Sequence, residues 1–230
     1  MYVMDVTFFG KKKSKESFWI LSVYNCTYKR VIYAKEVKTE SIQVYQECYR
    51  ELSHYGWQIA AIVCDGKPGV MWWFQKQWIP VQMCHFHMHQ IITRKIGLYP
   101  KSLVARELKQ LLSFLTRSSY ESFYDRFMQR FITHYTLLNE RSEMSDQKRK
   151  WRYKHEKIRS AYMSILRLLP SLFTYRATPF CFFPCPNTTN HLDGWIFSHL
   201  KEKTNLHRWK TKTRKLDIIF ELLFKTNIKK

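Results

Sequence analysis

The hydrophobic period of this chain changes along its length, and that change constrains the fold more than any other feature. Over roughly the first hundred residues, short runs of β-branched and aromatic residues alternate with helical spacing; from Pro100 to Leu169 only the helical period remains. Residues 2–9, YVMDVTFF, read as a buried strand with a single acid, Asp5, directed into a site. Residues 18–24 and 30–35 read as two more strands, completing a three-stranded antiparallel meander. Thr39 is placed to cap a helix whose Ile42, Tyr45, Cys48, Tyr49 and Leu52 recur at helical spacing, ending near Gly56. The apolar run 59–64, IAAIVC, fits a strand covered on both faces, with Asp65 and Gly66 at its carboxyl end. Pro68 suits the first turn of a helix reaching about Trp78, residues 81–84 form a fifth strand, and 87–96 a helix stopped at Gly97.

Beyond Pro100 the leucines at 108, 111, 112 and 115, the phenylalanines at 123, 127 and 131, and Ile158, Ile165, Leu168 and Leu169 mark helices, with the polar stretch 139–150 as a connector. Four prolines make residues 170–187 an irregular return path. Thr189 or Asn190 caps a further helix to about Asn205, and 213–224 is the last. The expected organisation is an α/β core in residues 1–99, an all-helical insertion over 100–169, and a return segment with two helices, 170–230, completing the core.

With 39 Lys and Arg against 18 Asp and Glu, the formal net charge is +21, so polyanions are attracted from a distance and nucleic acid is the default partner. No apolar run approaches the roughly 18 residues that span a bilayer, and the start, MYVMDVTFFG, does not read as a secretory leader. A cytoplasmic protein with reduced thiols is expected from these features and from six dispersed cysteines. A nucleophile elbow, a Walker loop and a dinucleotide fingerprint are all absent from the sequence, which leaves water or a 3′-hydroxyl as the nucleophile of any reaction.

Against this basic background three of only six aspartates stand out: Asp5 inside the first strand, Asp65 just past the fourth, and Asp193 in the first turn of a helix. Hard oxygen ligands on adjacent elements suit Mg²⁺ or Mn²⁺, and a pair of such ions serves phosphodiester chemistry. Singly, each acid also fits a plainer role: Asp65 in a turn, Asp193 at a helix N-terminus, Asp5 as an edge-strand acid. The strings YVMDVTFFG, AIVCDGKPGV, QMCHFHMHQII and NTTNHLDGWIFSHLK resemble, in order and spacing, bacterial insertion-sequence transposases of the Mutator-like DDE superfamily, and the likeness runs over nearly the whole chain. The resemblance implies an RNase H-like mixed sheet interrupted by a helical insertion, with Asp5, Asp65 and Asp193 as the catalytic, metal-holding acids. It also implies two Mg²⁺ (or Mn²⁺) ions, DNA element ends and target duplex as partners, a homo-oligomer on DNA, and a nucleoid-associated bacterial setting.

Two departures qualify it. The family's third acid is usually Glu, and here Asp193 is one methylene shorter. The family also carries a DNA-end-binding region ahead of the first acid, whereas four residues precede Asp5, so a separate end-binding domain or subunit is expected. A catalytically weak or inactive DNA-binding remnant and an RNase H-like nuclease for RNA–DNA hybrids are the alternatives. Cys84 and His87 form a C-x-x-H pair resembling a signature of the superfamily; zinc binding with His85, His89, Cys181 and Cys185 is weighed against core packing. Lys201, Lys203 and Arg208 lead a basic series after the third acid that is expected to touch DNA phosphates, with residues 11–15 as a second basic segment. Trp72, Trp73, Trp151 and Trp195 are candidates for stacking on an unpaired base or, alternatively, for core packing.

Overall fold

A computed structural model describes residues 1–10, 17–143, 151–177, 186–190, 192, 196–206 and 210–225. The chain divides into two compact units, Met1–Cys84 with Thr174–Lys230, and His85–Phe173.

The first unit is α/β and built on a five-stranded mixed sheet. Strands β1 (Tyr2–Phe9), β2 (Phe18–Asn25) and β3 (Arg30–Val37) form the expected antiparallel meander, with β1 and β2 in register from Tyr2↔Asn25 to Phe9↔Phe18. The β2–β3 turn is organised by Asn25, whose Oδ1 accepts the N–H groups of Thr27 (2.9 Å) and Tyr28 (3.0 Å), an Asx turn that satisfies two turn donors at once. Helix α1 (Ile42–His54) leads to β4 (Ile62–Cys64), and α2 (Pro68–Lys76) leads to β5 (Val81–Met83). Both of these strands are parallel, giving the order β3-β2-β1-β4-β5. The cap of α1 is Ser41, not Thr39, and β4 is shorter than the run 59–64 because ladder pairing with β1 begins only where Tyr2 meets Ile62.

Alternation along the strands gives the sheet two apolar faces. On one side α1 is held to β3 by Glu51, which accepts from Tyr33 Oη (2.9 Å) and Lys35 Nζ (2.7 Å), and α1 packs on α2 through Tyr49 against Trp73 and Phe74. On the other, Val3, Phe9, Phe18, Ile20 and Val63 share a core with Leu192, Phe197, Leu200, Ile219 and Leu223, which brings in α8 (Ser198–Leu206) and α9 (Lys212–Lys225). The return segment is pinned to β5: Thr174 Oγ1 donates to the Val81 carbonyl (2.8 Å) and the Tyr175 N–H donates to Gln82 Oε1 (2.9 Å).

The second unit comprises α3 (His85–Ile96), α4 (Leu103–Ser113), α5 (Tyr120–Thr133), α6 (Tyr135–Asn139), β6 (Arg141–Glu143), β7 (Trp151–Tyr153) and α7 (Glu156–Leu172). Its helices close on Leu108, Leu111, Leu112, Phe123, Phe127, Tyr162, Ile165 and Leu168, all buried, and Ser102 and Ser119 cap α4 and α5 with their hydroxyls. His85 is a core residue here, its Nε2 2.7 Å from the Leu172 carbonyl.

Three expectations need correction. The division falls at His85 rather than at residue 100, because α3 packs against α7 and α4. An all-helical insertion is replaced by helices plus an antiparallel ribbon, since β6 and β7 pair from Arg141↔Tyr153 to Glu143↔Trp151 inside the supposed connector. Pro170 does not begin an irregular path but lies within the last turn of α7, where its missing N–H forfeits only one helical bond while Leu168, Leu169 and Leu172 stay buried.

Candidate active site

Asp5 is central in β1 and 7% exposed, an unusual position for a carboxylate. Strand alternation puts it on the face of Val3 and Phe9, and Thr7, two residues on, donates its hydroxyl to Asp5 Oδ2 at 3.1 Å. Across the sheet Asp5 pairs with Ser22, whose Oγ is buried and has no hydrogen-bond partner among the described residues.

Asp65 is positioned by strand pairing. The parallel ladder runs Tyr2↔Ile62 and Val3↔Val63, and Asp5 and Asp65 each follow two residues after its last pair. The residues after Asp65 are shaped to hold it. The Lys67 N–H donates to Asp65 Oδ1 at 3.1 Å, and Gly66 between them has φ +85°, a left-handed conformation open to glycine. A side chain at 66 is also excluded by space, since a Cβ there would meet Met83 Sδ at 2.1 Å.

A third carboxylate, not singled out from the sequence, joins this pair. Glu40, just before α1, accepts from Tyr45 Oη at 3.1 Å, and Lys67 Nζ donates to its backbone carbonyl at 2.6 Å and lies 3.5 Å from its Oε1. Burial first, then the charge of Asp65, raises the Glu40 carboxyl above the ordinary glutamate range, with Lys67 and Tyr45 opposing. The phenol of Tyr45 is pushed well up, by burial and then by Glu40, Asp65 and Asp5 in turn, so the fields of all three acids converge on one hydroxyl. Thr7 and Lys67 could have been suspected, being two residues beyond each acid; nothing in the local sequence marks Glu40.

Asp193, the expected third acid, and Arg208 lie outside the described residues, as do Cys181, Cys185, Trp195 and residues 11–15. Leu192, next to Asp193, is buried in the same apolar cluster as Val3 and Val63, the strand neighbours of the two aspartates. Among the described residues no group of three or more His, Cys, Asp or Glu side chains is disposed to hold a metal ion. The oxygen donors of Asp5 and Asp65, backed by a hydroxyl and a backbone amide, are the chemistry that Mg²⁺ or Mn²⁺ selects, so the two described acids fit such ions.

Cys84 ties two segments of the first unit together. Its Sγ accepts the Thr189 N–H at 3.2 Å and lies 3.5 Å from Thr189 Oγ1, while its own N–H donates to the Cys64 carbonyl at 2.9 Å. It therefore joins the end of β4 to the segment entering α8. His87 belongs to the other unit, on α3, with its ring against Phe86 at 5.6 Å. The four described cysteines, Cys26, Cys48, Cys64 and Cys84, are buried.

Lys201 and Lys203 are exposed on α8 and form no ion pair among the described residues, whereas Lys212 at the start of α9 is bound by Glu36 at 2.5 Å. Of the tryptophans, Trp73 packs against Tyr49 and Phe74, and Trp72 is 56% exposed with Lys76 over its ring. No described helix is long and apolar enough to cross a membrane. No protein-family model matches the chain, and no curated protein matches it.

Proposed function

We propose that this chain is the catalytic core of a DDE/D-type transposase, with an RNase H-like fold, that cuts DNA at the ends of an insertion sequence and joins the freed 3′-hydroxyl to target DNA. The observation that carries this is the parallel pairing of β1 with β4, after which a buried Asp5 and Asp65 each follow two residues past the last pair, in a protein of net charge +21. The RNase H-like part is supported by the strand order β3-β2-β1-β4-β5, an antiparallel meander whose first strand continues into two parallel strands. The helical unit lying between Cys84 and Thr174 in the sequence is in keeping with the resemblance.

In this reading Asp5 and Asp65, with Asp193, hold Mg²⁺ or Mn²⁺. Divalent ions bound there supply the Lewis acidity that activates water or a 3′-hydroxyl and stabilises the leaving oxygen. Thr7 fixes one oxygen of Asp5 and the Lys67 amide one oxygen of Asp65, so the carboxylates are preorganised before substrate arrives. Lys67 also compensates Glu40, limiting the negative charge that an incoming phosphate must approach. Lys201 and Lys203 hold the DNA backbone by charge, and DNA ends and target duplex are the partners. The protein acts as an oligomer on DNA.

Incubation of the protein with supercoiled plasmid tests this. Nicking or strand transfer should need Mg²⁺ or Mn²⁺ and disappear in Asp65→Ala, a variant that keeps its salt-sensitive DNA affinity. Turnover without a divalent ion, or turnover surviving the substitution, sinks the assignment. DNA binding with no turnover at all points to an inactive remnant, and preferred cleavage of RNA–DNA hybrid to a nuclease.

A further inference from the structure

The ribbon β6–β7 carries arginines and aromatic rings in alternation. The Arg141 guanidinium lies 4.0 Å from the ring centroid of Trp151 and 5.8 Å from that of Tyr153. Arg159, near the start of α7, lies 4.1 Å from the Tyr153 ring centroid, and Trp151 and Tyr153 meet edge to face at 5.1 Å. Arg141 and Trp151 are exposed, so this stack faces solvent.

Among the described residues the arginines of the stack have no paired carboxylate. Arg141, Arg152 and Arg159 form no ion pair with a carboxylate among the described residues, and the neighbouring Glu140 is taken by Lys154 and, at 3.5 Å, by His155. Glu143, paired with Trp151, is the one carboxylate on the ribbon itself. The Nε of Arg159 is buried with no hydrogen-bond partner among the described residues. A guanidinium stacked on an aromatic ring uses its flat face and turns its in-plane N–H donors outward, in the fork that matches a phosphate's oxygens. Stacking also holds the long side chain before any ligand arrives, which lowers the entropy lost on binding.

We infer that the β6–β7 ribbon is a binding surface for the phosphate backbone of nucleic acid, with Arg141 and Arg159 as phosphate ligands and Trp151 and Tyr153 as the residues that position them. The polymer is favoured over a lone anion because two forks share one stack, and over an anionic membrane because the ribbon presents stacked rings and charge, not an apolar face. The inference rests on the nucleic-acid reading given above but on none of its acidic residues.

The test is fluorescence anisotropy of a labelled DNA duplex with the full chain over a range of salt. Arg141→Gln, at an exposed position that leaves the fold intact by circular dichroism, should weaken binding about 10-fold and flatten the slope of log affinity against log salt by about 1. Arg141→Lys keeps the charge but loses fork and stack, so its slope should stay while its affinity falls several-fold. Adding Arg159→Ala to Arg141→Gln should flatten the slope again. Wild-type affinity and slope in Arg141→Gln overturn the inference while Asp65-dependent nicking leaves the proposed function standing. A wild-type chain that fails to bind duplex overturns both, and arginine-dependent binding to phosphatidylserine vesicles without duplex binding overturns the choice of nucleic acid.

Discussion

Cys84 and Thr189 are joined through sulfur: the Thr189 N–H donates to Cys84 Sγ at 3.2 Å across a sequence separation of 105. Both residues are fully buried. Removing the sulfur leaves that amide without its acceptor, a penalty of about 1–3 kcal/mol, with a small cavity added. Cys84→Ala is therefore expected to lower stability by about that amount in urea denaturation. Faster hydrogen exchange at the Thr189 amide should accompany the loss; unchanged exchange there means that the bond does not anchor the segment.

The turn after Asp65 tolerates no side chain for two separate reasons. Gly66 sits at φ +85°, and a Cβ would lie 2.1 Å from Met83 Sδ and 2.6 Å from its Cε. Gly66→Ala should cost about 2–4 kcal/mol, the backbone penalty and the steric one together. Met83→Ala opens the space that the new methyl needs, so the double variant should be more stable than the sum of the two single losses allows. A double-mutant cycle by chemical denaturation measures this coupling, and strict additivity contradicts the clash.

The meander and the strand–helix alternation that follows it were legible because period-two runs, Gly66 and Pro68 act locally. The parallel pairing of β4 with β1 and β5 was not, since it depends on which strands become neighbours. Glu40 was invisible for a related reason: it precedes a helix as an ordinary polar residue, and only Lys67 and Tyr45, brought in by the fold, make it part of the site. The β6–β7 ribbon was missed because its strands are three residues long and rich in Arg and Glu, with cross-strand stacking rather than β-propensity holding them. Pro170 misled as a stop signal, because α7 runs only two residues beyond it, to Leu172, so any kink it imposes displaces little of the helix.

Glu40 makes stability depend on pH in a direction opposite to that of a salt-bridged acid. Its folded carboxyl titrates above the unfolded value of about 4.3, by burial and by Asp65. Between the unfolded value and the raised folded one the native state binds more protons than the unfolded chain, so this residue's contribution falls as pH rises through that window and is fully unfavourable above it. Glu40→Gln removes the ionisation. Relative to wild type, the variant should gain stability on going from acid to neutral pH, a trend read from urea midpoints at a series of pH values. A difference that stays flat with pH, or runs the other way, removes Glu40 from the coupled acids.

Ser22 offers the sharpest test of how the sheet presents Asp5. It is 0% exposed, stands opposite Asp5 in the β1–β2 register, and its Oγ finds no partner among the described residues. A buried hydroxyl without a hydrogen bond costs about 1–3 kcal/mol relative to solvent, whereas an alanine there gives up only a small volume of packing. In the absence of divalent ions Ser22→Ala should therefore be neutral or stabilising by about 1 kcal/mol, a rise of about 2–4 °C in Tm for a chain of this size. Should the variant instead lose more than about 1 kcal/mol, the hydroxyl is bonded in the folded protein, and Asp5, its cross-strand partner, is the acceptor to examine by the same denaturation experiment on Asp5→Asn.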